Sequence, residues 1–187
     1  MKSALRSIAS LLFVTGFLAA CTPTEKPVSE NTLEPASSNT LLLQLKDGTV
    51  EIELRPDLAP KHVERITTLA NQGFYDGIVF HRVIDGFMAQ TGDPTGTGRG
   101  GSDLPDLPAE FTPAPFDRGV LGMARSQNPN SANSQFFIMF AEGYFLNNQY
   151  TVFGKVTKGM EFVDNIKRGE PPSNPDKIVK MRTSDNM

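Results

Sequence analysis

Two apolar runs, Leu41-Leu42-Leu43-Gln44-Leu45 and Val50-Glu51-Ile52-Glu53-Leu54, flank Asp47-Gly48. Alternation of period two around an Asp-Gly dipeptide specifies a β-hairpin, because that dipeptide tolerates the positive φ angles of a tight turn. The fold therefore starts as antiparallel sheet. Further strand-like runs lie at 78–84, 87–90, 119–124, 135–140 and 152–156, with a closing strand at 177–181. Helical signals are fewer. Ala59-Pro60 opens a segment in which Val63, Ile66 and Ala70 share a face, and Gly73 stands at its C-terminal cap. A second short helix is expected from Met160 to Lys167. Many short strands with two helices restrict the chain to an antiparallel barrel or sandwich. The 16 glycines and 14 prolines suit such a loop-rich β fold.

The first forty residues have a different texture. Lys2 and Arg6 precede an apolar run, Ile8 to Ala20, too short to span a bilayer and ending in small residues. The single cysteine, Cys21, follows directly and resembles the lipidated residue of a bacterial lipobox. A lone cysteine excludes an internal disulfide, so export is read from the leader alone. Residues 1–20 are thus expected to be a lipoprotein-type signal peptide. Residues 21–39, rich in Pro, Ser, Thr and Glu, are expected to be a disordered tether carrying the lipidated cysteine. A tether of this length reaches roughly 25 Å. The folded domain then spans residues 40–187. Acyl chains, at roughly 0.8 kcal/mol per CH₂, would hold it on a membrane facing the periplasm. Thr22 in place of Asp after the cysteine favours the outer membrane over the inner one.

Loss of Lys2 and Arg6 takes the formal charge from −3 to −5, and no basic run is present, which argues against nucleic acid as a partner. Gly96-Thr97-Gly98-Arg99-Gly100-Gly101 satisfies G-x-G-x-x-G, but Asp93-Pro94 before it and Pro105 and Pro108 after it deny the required strand and helix. The stretch from Thr91 to Phe116 is expected to be a flexible surface loop. No His, Cys or Asp cluster has metal-ligand spacing, and no Ser-His-Asp or Cys-His set can be assembled. No metal and no cofactor are expected. Of the two histidines, His62 is expected on the exposed part of the first helix. His81 alternates with Arg82 along a strand, so only one of the pair faces a given side.

What remains is Arg82 followed by Phe87, Met88 and Gln90, with a second block, Ser134-Gln135-Phe136-Phe137-Ile138, some forty-five residues on. Strong donors among large apolar groups, without a nucleophile, describe an apolar pocket with a polar rim. Such a site suits chemistry that breaks no covalent bond.

Phe80-His81-Arg82-Val83-Ile84 with Gly86-Phe87-Met88-Ala89-Gln90-Thr91-Gly92-Asp93 resembles the first signature of the cyclophilins, the peptidyl-prolyl cis-trans isomerases. Gly122-Met123-Ala124-Arg125, the Ser134 block and Val152-Phe153-Gly154-Lys155-Val156 resemble the later blocks in the same order. The resemblance covers about residues 41 to 182. It implies a mainly β fold, an eight-stranded antiparallel closed barrel capped by two α-helices, acting as a monomer on flexible Pro-containing polypeptides. By the same likeness, Arg82 is the catalytic arginine and Gln90 supports it. Phe87, Met88, Phe137 and Leu146 line the proline pocket, and Ala124 and Gln135 contact the substrate backbone and its neighbouring residue.

Four positions depart from the best-known members. Phe145 stands where cyclosporin-sensitive relatives carry Trp, which predicts weak or no cyclosporin binding. Tyr150 takes the place of a pocket histidine, Arg125 that of an asparagine, and Asp85 that of a common proline. The implied function is isomerisation of X-Pro bonds in exported or envelope proteins, assisting their folding. The alternative is a membrane-tethered chaperone or scaffold that binds Pro-containing segments without turning them over.

Overall fold

The computed structural model describes residues 39–187. The expected signal peptide, the tether and Cys21 lie outside the described residues. Eight strands form one antiparallel sheet: β1 (Thr40–Gln44), β2 (Thr49–Leu54), β3 (Arg82–Ile84), β4 (Met88–Thr91), β5 (Val120–Met123), β6 (Phe136–Met139), β7 (Val152–Lys158) and β8 (Lys180–Thr183). They are ordered β3-β4-β6-β5-β7-β2-β1-β8. The Asp47-Gly48 hairpin forms as expected, with Leu43 opposite Val50 and Leu41 opposite Ile52.

Closure is less complete than a closed barrel. The edge strands β3 and β8 share no ladder. The stretches beside them meet instead: Phe80 N–H donates to the Asp176 carbonyl at 2.9 Å, and Ile178 N–H to that of Ile78 at 2.9 Å. Residues 78–81 therefore leave the regular ladder, which is why the run expected at 78–84 yields a strand of three residues. The same seam delays the last strand from 177 to Lys180.

The first helix, α1, runs from Pro60 to Asn71. Gly73, at φ +81°, ends it, with its N–H on the Ala70 carbonyl and that of Phe74 on Leu69. This double bond pattern satisfies carbonyls that the helix end leaves open. The second helix, α2, covers Met160–Asp164 only, capped at Asn165, and stops short of Lys167. A 3₁₀ turn at Tyr144–Leu146, which has no periodic signature, joins β6 to β7.

Strand alternation divides the apolar residues between two cores. Leu41, Leu43, Ile52, Ala89, Leu121, Phe136 and Ile138 face the main core, where Ile66 and Leu69 of α1 cover them. Met88, Phe137, Met139, Val120 and Val152 point to the opposite side and pack with Phe116 and Leu146. Burial on both faces explains why β6 reads Phe-Phe-Ile-Met without alternation.

His62 is a correction to the sequence reading: it is fully buried. Glu110, from the long 91–116 segment, folds over the start of α1, accepting from the His62 N–H at 3.2 Å and lying 2.6 Å from Nδ1. Burial depresses the His62 pKa despite the opposing Glu110 bond, and burial likewise depresses that of His81. As pH falls, an unfolded chain with ordinary histidines near 6.5 takes up protons before the folded one does. Stability is therefore lost as pH drops through 6.5 toward the lowered folded-state values. We expect Tm to fall between about pH 7 and pH 5, with a shallower fall in His62→Gln or His81→Gln proteins. A flat or rising Tm across that range in scanning calorimetry would contradict this account.

Candidate active site

Register builds the site. Arg82 pairs with Gln90 across β3 and β4, Gln90 with Phe137 across β4 and β6, and Phe137 with Gly122 across β6 and β5. Directly opposed residues share a face, so one row across four strands carries a cation, an amide, an aromatic ring and a vacancy. The next row on that face is Ile84, Met88 and Met139.

Walls rise from neighbouring segments. Phe87, just before β4, packs on Phe145 with ring centres 5.5 Å apart. Tyr150 meets Phe137 edge-on at 5.8 Å, and Arg125 lies over the Tyr150 ring at 4.5 Å. The 3₁₀ turn is pinned by Asn147, whose Oδ1 accepts from Phe116 N–H at 3.0 Å, and by Gly143 N–H on the Phe116 carbonyl at 2.8 Å. Arg82, Phe87, Met88, Gln90, Ala124, Phe137, Phe145, Leu146 and Tyr150 thus surround one cavity of about 290 Å³, with Arg125 at its rim. Gln135 does not line it. It belongs to an adjoining polar cavity of about 570 Å³ that shares Gln90, Ala124 and Arg125.

Phe137 is held from behind by Phe116, stacked at 5.7 Å. Gly122 lies beneath both rings, and a Cβ there would stand 2.6 Å from Phe116 Cε1. Only glycine leaves room for this stack. Neither Phe116 nor Gly122 stands out in the sequence as part of a site.

The polar half is a relay. Gln90 Nε2 donates to Gln135 Oε1 at 2.9 Å, and Gln135 Nε2 donates to the carbonyls of Gly98 at 3.1 Å and Gly100 at 2.8 Å. Those carbonyls belong to the expected flexible loop, which is instead tightly organised around buried Asp93. The Asp93 carboxylate accepts from the Thr95 N–H at 2.8 Å, the Thr95 hydroxyl at 2.8 Å and the Gly98 N–H at 2.6 Å. Burial alone would raise its pKa. Bonds from Thr95, Gly100 and Gly98 outweigh that effect and hold it at about 2.

Arg82 is half exposed. Its Nε–H donates to Glu170 Oε2 at 2.8 Å, while among the described residues its Nη groups have no hydrogen-bond partner. Gln90, expected to support the arginine, stands opposite it across β3 and β4, and its Nε2 bonds Gln135. His81 points the other way and is buried beneath Gly98.

The site thus combines an eight-stranded antiparallel sheet, an apolar cavity built on it and a charged donor at the cavity wall. Residues 40–183 match the family model described as cyclophilin type peptidyl-prolyl cis-trans isomerase/CLD. The chain belongs to that family and is a peptidyl-prolyl cis-trans isomerase. It is 60% identical over 158 residues to a probable peptidyl-prolyl cis-trans isomerase of Brucella suis, covering 76% of this chain and 81% of that protein. Peptidyl-prolyl cis-trans isomerase B of Bacillus subtilis is 45% identical over 128 residues, which cover 67% of this chain and 89% of the relative. Among solved structures, a cyclophilin type isomerase of Cryptosporidium parvum, crystallised in the presence of the dipeptide Ala-Pro, aligns with a TM-score of 0.73 at 32% identity. That alignment covers 79% of this chain and 99% of that one. Cyclophilin AquaCyp293 of Hirschia baltica aligns with a TM-score of 0.74 at 29% identity, covering 81% and 76%.

The vacancy at Gly122 makes a specific prediction. Gly122→Ala should cost about 1–3 kcal/mol through overpacking and push Phe137 into the cavity. Chemical denaturation measures the first effect, and a raised KM for an X-Pro peptide the second.

Proposed function

We propose that Arg82 is the catalytic donor and that the enzyme works at the cell envelope on X-Pro bonds of exported polypeptides. The observation that carries the first part is the position of Arg82. Its guanidinium, with the Nη groups uncommitted, borders a cavity otherwise walled by Phe87, Met88, Phe137 and Leu146.

Rotation about a peptide bond must surmount about 18–20 kcal/mol, because twisting breaks amide resonance. For X-Pro the two isomers differ by only about 1 kcal/mol, so rate is the obstacle and equilibrium is not. In the twisted state the proline nitrogen regains its lone pair and becomes a better acceptor. A permanently charged donor beside it stabilises that state more than the planar one. One such donor contributes roughly 3–4 kcal/mol. A 10⁵-fold acceleration needs about 7 kcal/mol, so the arginine does not suffice. The remainder falls to the apolar walls, which grip the ring and favour the less dipolar twisted amide. Gln90 steadies the floor beside Arg82, and Ala124 and Gln135 meet the substrate backbone and the residue before proline. Phe145 and Tyr150 complete the wall. Phe145 offers no N–H donor, which is the basis for expecting weak cyclosporin binding.

The envelope assignment rests on the sequence alone: a basic start, an apolar run, small residues and Cys21 in order. Anchored through that cysteine and facing the periplasm, with Thr22 favouring the outer membrane, the domain would meet polypeptides emerging from export while they are still flexible.

Arg82→Ala should lower kcat/KM on an X-Pro peptide by about 10²–10³-fold in a protease-coupled assay. Near-normal turnover would remove the donor role. Cys21→Ser should move the protein from membrane to soluble fractions while leaving its isomerase activity intact, and a variant that stays in the membrane fraction would refute the anchor.

A further inference from the structure

We infer that Glu170 is a positioning residue for the reaction, setting the plane of the Arg82 guanidinium so that its Nη groups face the proline cavity. The inference rests on the donor role of Arg82 and deepens it. An arginine reaches its target through four rotatable bonds, and a half-exposed one keeps most of that freedom unless something fixes it. Across the strand pair Gln90 makes no side-chain hydrogen bond to it among the described residues, and its Nε2 donates to Gln135 Oε1. The hydrogen bond from Nε–H to Glu170 Oε2 at 2.8 Å is what holds the guanidinium among the described residues.

The fold in turn holds Glu170. Gly169 exchanges two backbone bonds with Val83, each 2.8 Å, so the residue before Glu170 is stitched to the residue after Arg82. Asp176 tightens the same segment by accepting from the Lys167 N–H at 2.9 Å and from Lys46 Nζ at 3.0 Å. The Glu170 carboxylate is also absent from the wall of the proline cavity. Glu170 lines a separate groove of about 310 Å³ with His81 and Pro171, while Arg82 borders both this groove and the proline cavity. Glu170 therefore touches Arg82 without lining the proline cavity and acts through it. Because the guanidinium is planar, a partner on Nε–H fixes where the Nη groups point.

Steady-state kinetics of the full chain test this. Glu170→Ala should lower kcat about five-fold with KM unchanged, the loss of a half-exposed charge-assisted bond. Glu170→Gln, which keeps an acceptor oxygen at the same reach, should recover most of that loss. In an Arg82→Ala background, Glu170→Ala should have no further effect on kcat. The Arg82 Nε–H resonance should shift in Glu170→Ala and stay near its wild-type position in Glu170→Gln. Wild-type kcat in Glu170→Ala overturns the inference, as does an equal loss in the Arg82→Ala background, which would mark a general structural role. If Arg82→Ala alone keeps full activity, the donor role fails and this inference falls with it. If Arg82→Ala is impaired while Glu170→Ala is not, only the positioning role is lost.

Discussion

The buried carboxylate of Asp93 is the interaction on which the polar half of the molecule depends. Its hydrogen bonds to Thr95 and Gly98 fold residues 93–100 into a fixed turn. That turn presents two carbonyls to Gln135, Gln135 orients Gln90, and Gln90 stands opposite Arg82. An ionised carboxylate is costly to bury unless donors surround it, and here they do. The same bonds that stabilise the charge give a glycine-rich segment its shape. Asp93, Gln135 and Gln90 are thereby set in order through the backbone of the 93–100 turn, and strand register places Arg82 beside the last of them.

The apolar half follows from a different constraint. A sheet whose strands are covered on both faces has two cores, and the second one is incomplete. Phe116, Phe137, Met88 and Leu146 pack as interior residues do, yet the cavity beside them admits another group of modest volume. On the proposed reading, a proline ring of the substrate would add to that packing. Recognition at such a site would depend on shape, as in any close-packed interior.

Much of this was legible in the sequence. The Asp47-Gly48 hairpin, α1 with its Gly73 cap, and the central strands all declare themselves through local periodicity and turn chemistry. The residues around the cavity were named from two apolar blocks and a family resemblance, and nine of them do border one cavity. What was not legible depends on contacts between distant segments. His62 was misplaced because Glu110, forty-eight positions away in a segment without periodicity, decides whether that helix face is covered. The closed barrel was too regular an expectation, since the seam between residues 77–80 and 176–178 has no ladder to announce it. Glu170 carries no local signal at all. Its meaning comes from a bond to a residue eighty-eight positions earlier.

That seam has a bearing on when the enzyme becomes competent. The edge strand bearing Arg82 is three residues long; Gly169 meets its outer side at Val83, and the stretch leading to β8 meets residues 77–80 just before it. Contacts of such long sequence separation form late, because the intervening chain must first be ordered. The backing of the arginine arrives with the final twenty residues. Arg82 and the carboxylate that holds it are therefore joined only once the C-terminal stretch has docked, whereas the apolar walls of the cavity all come from residues 87–150.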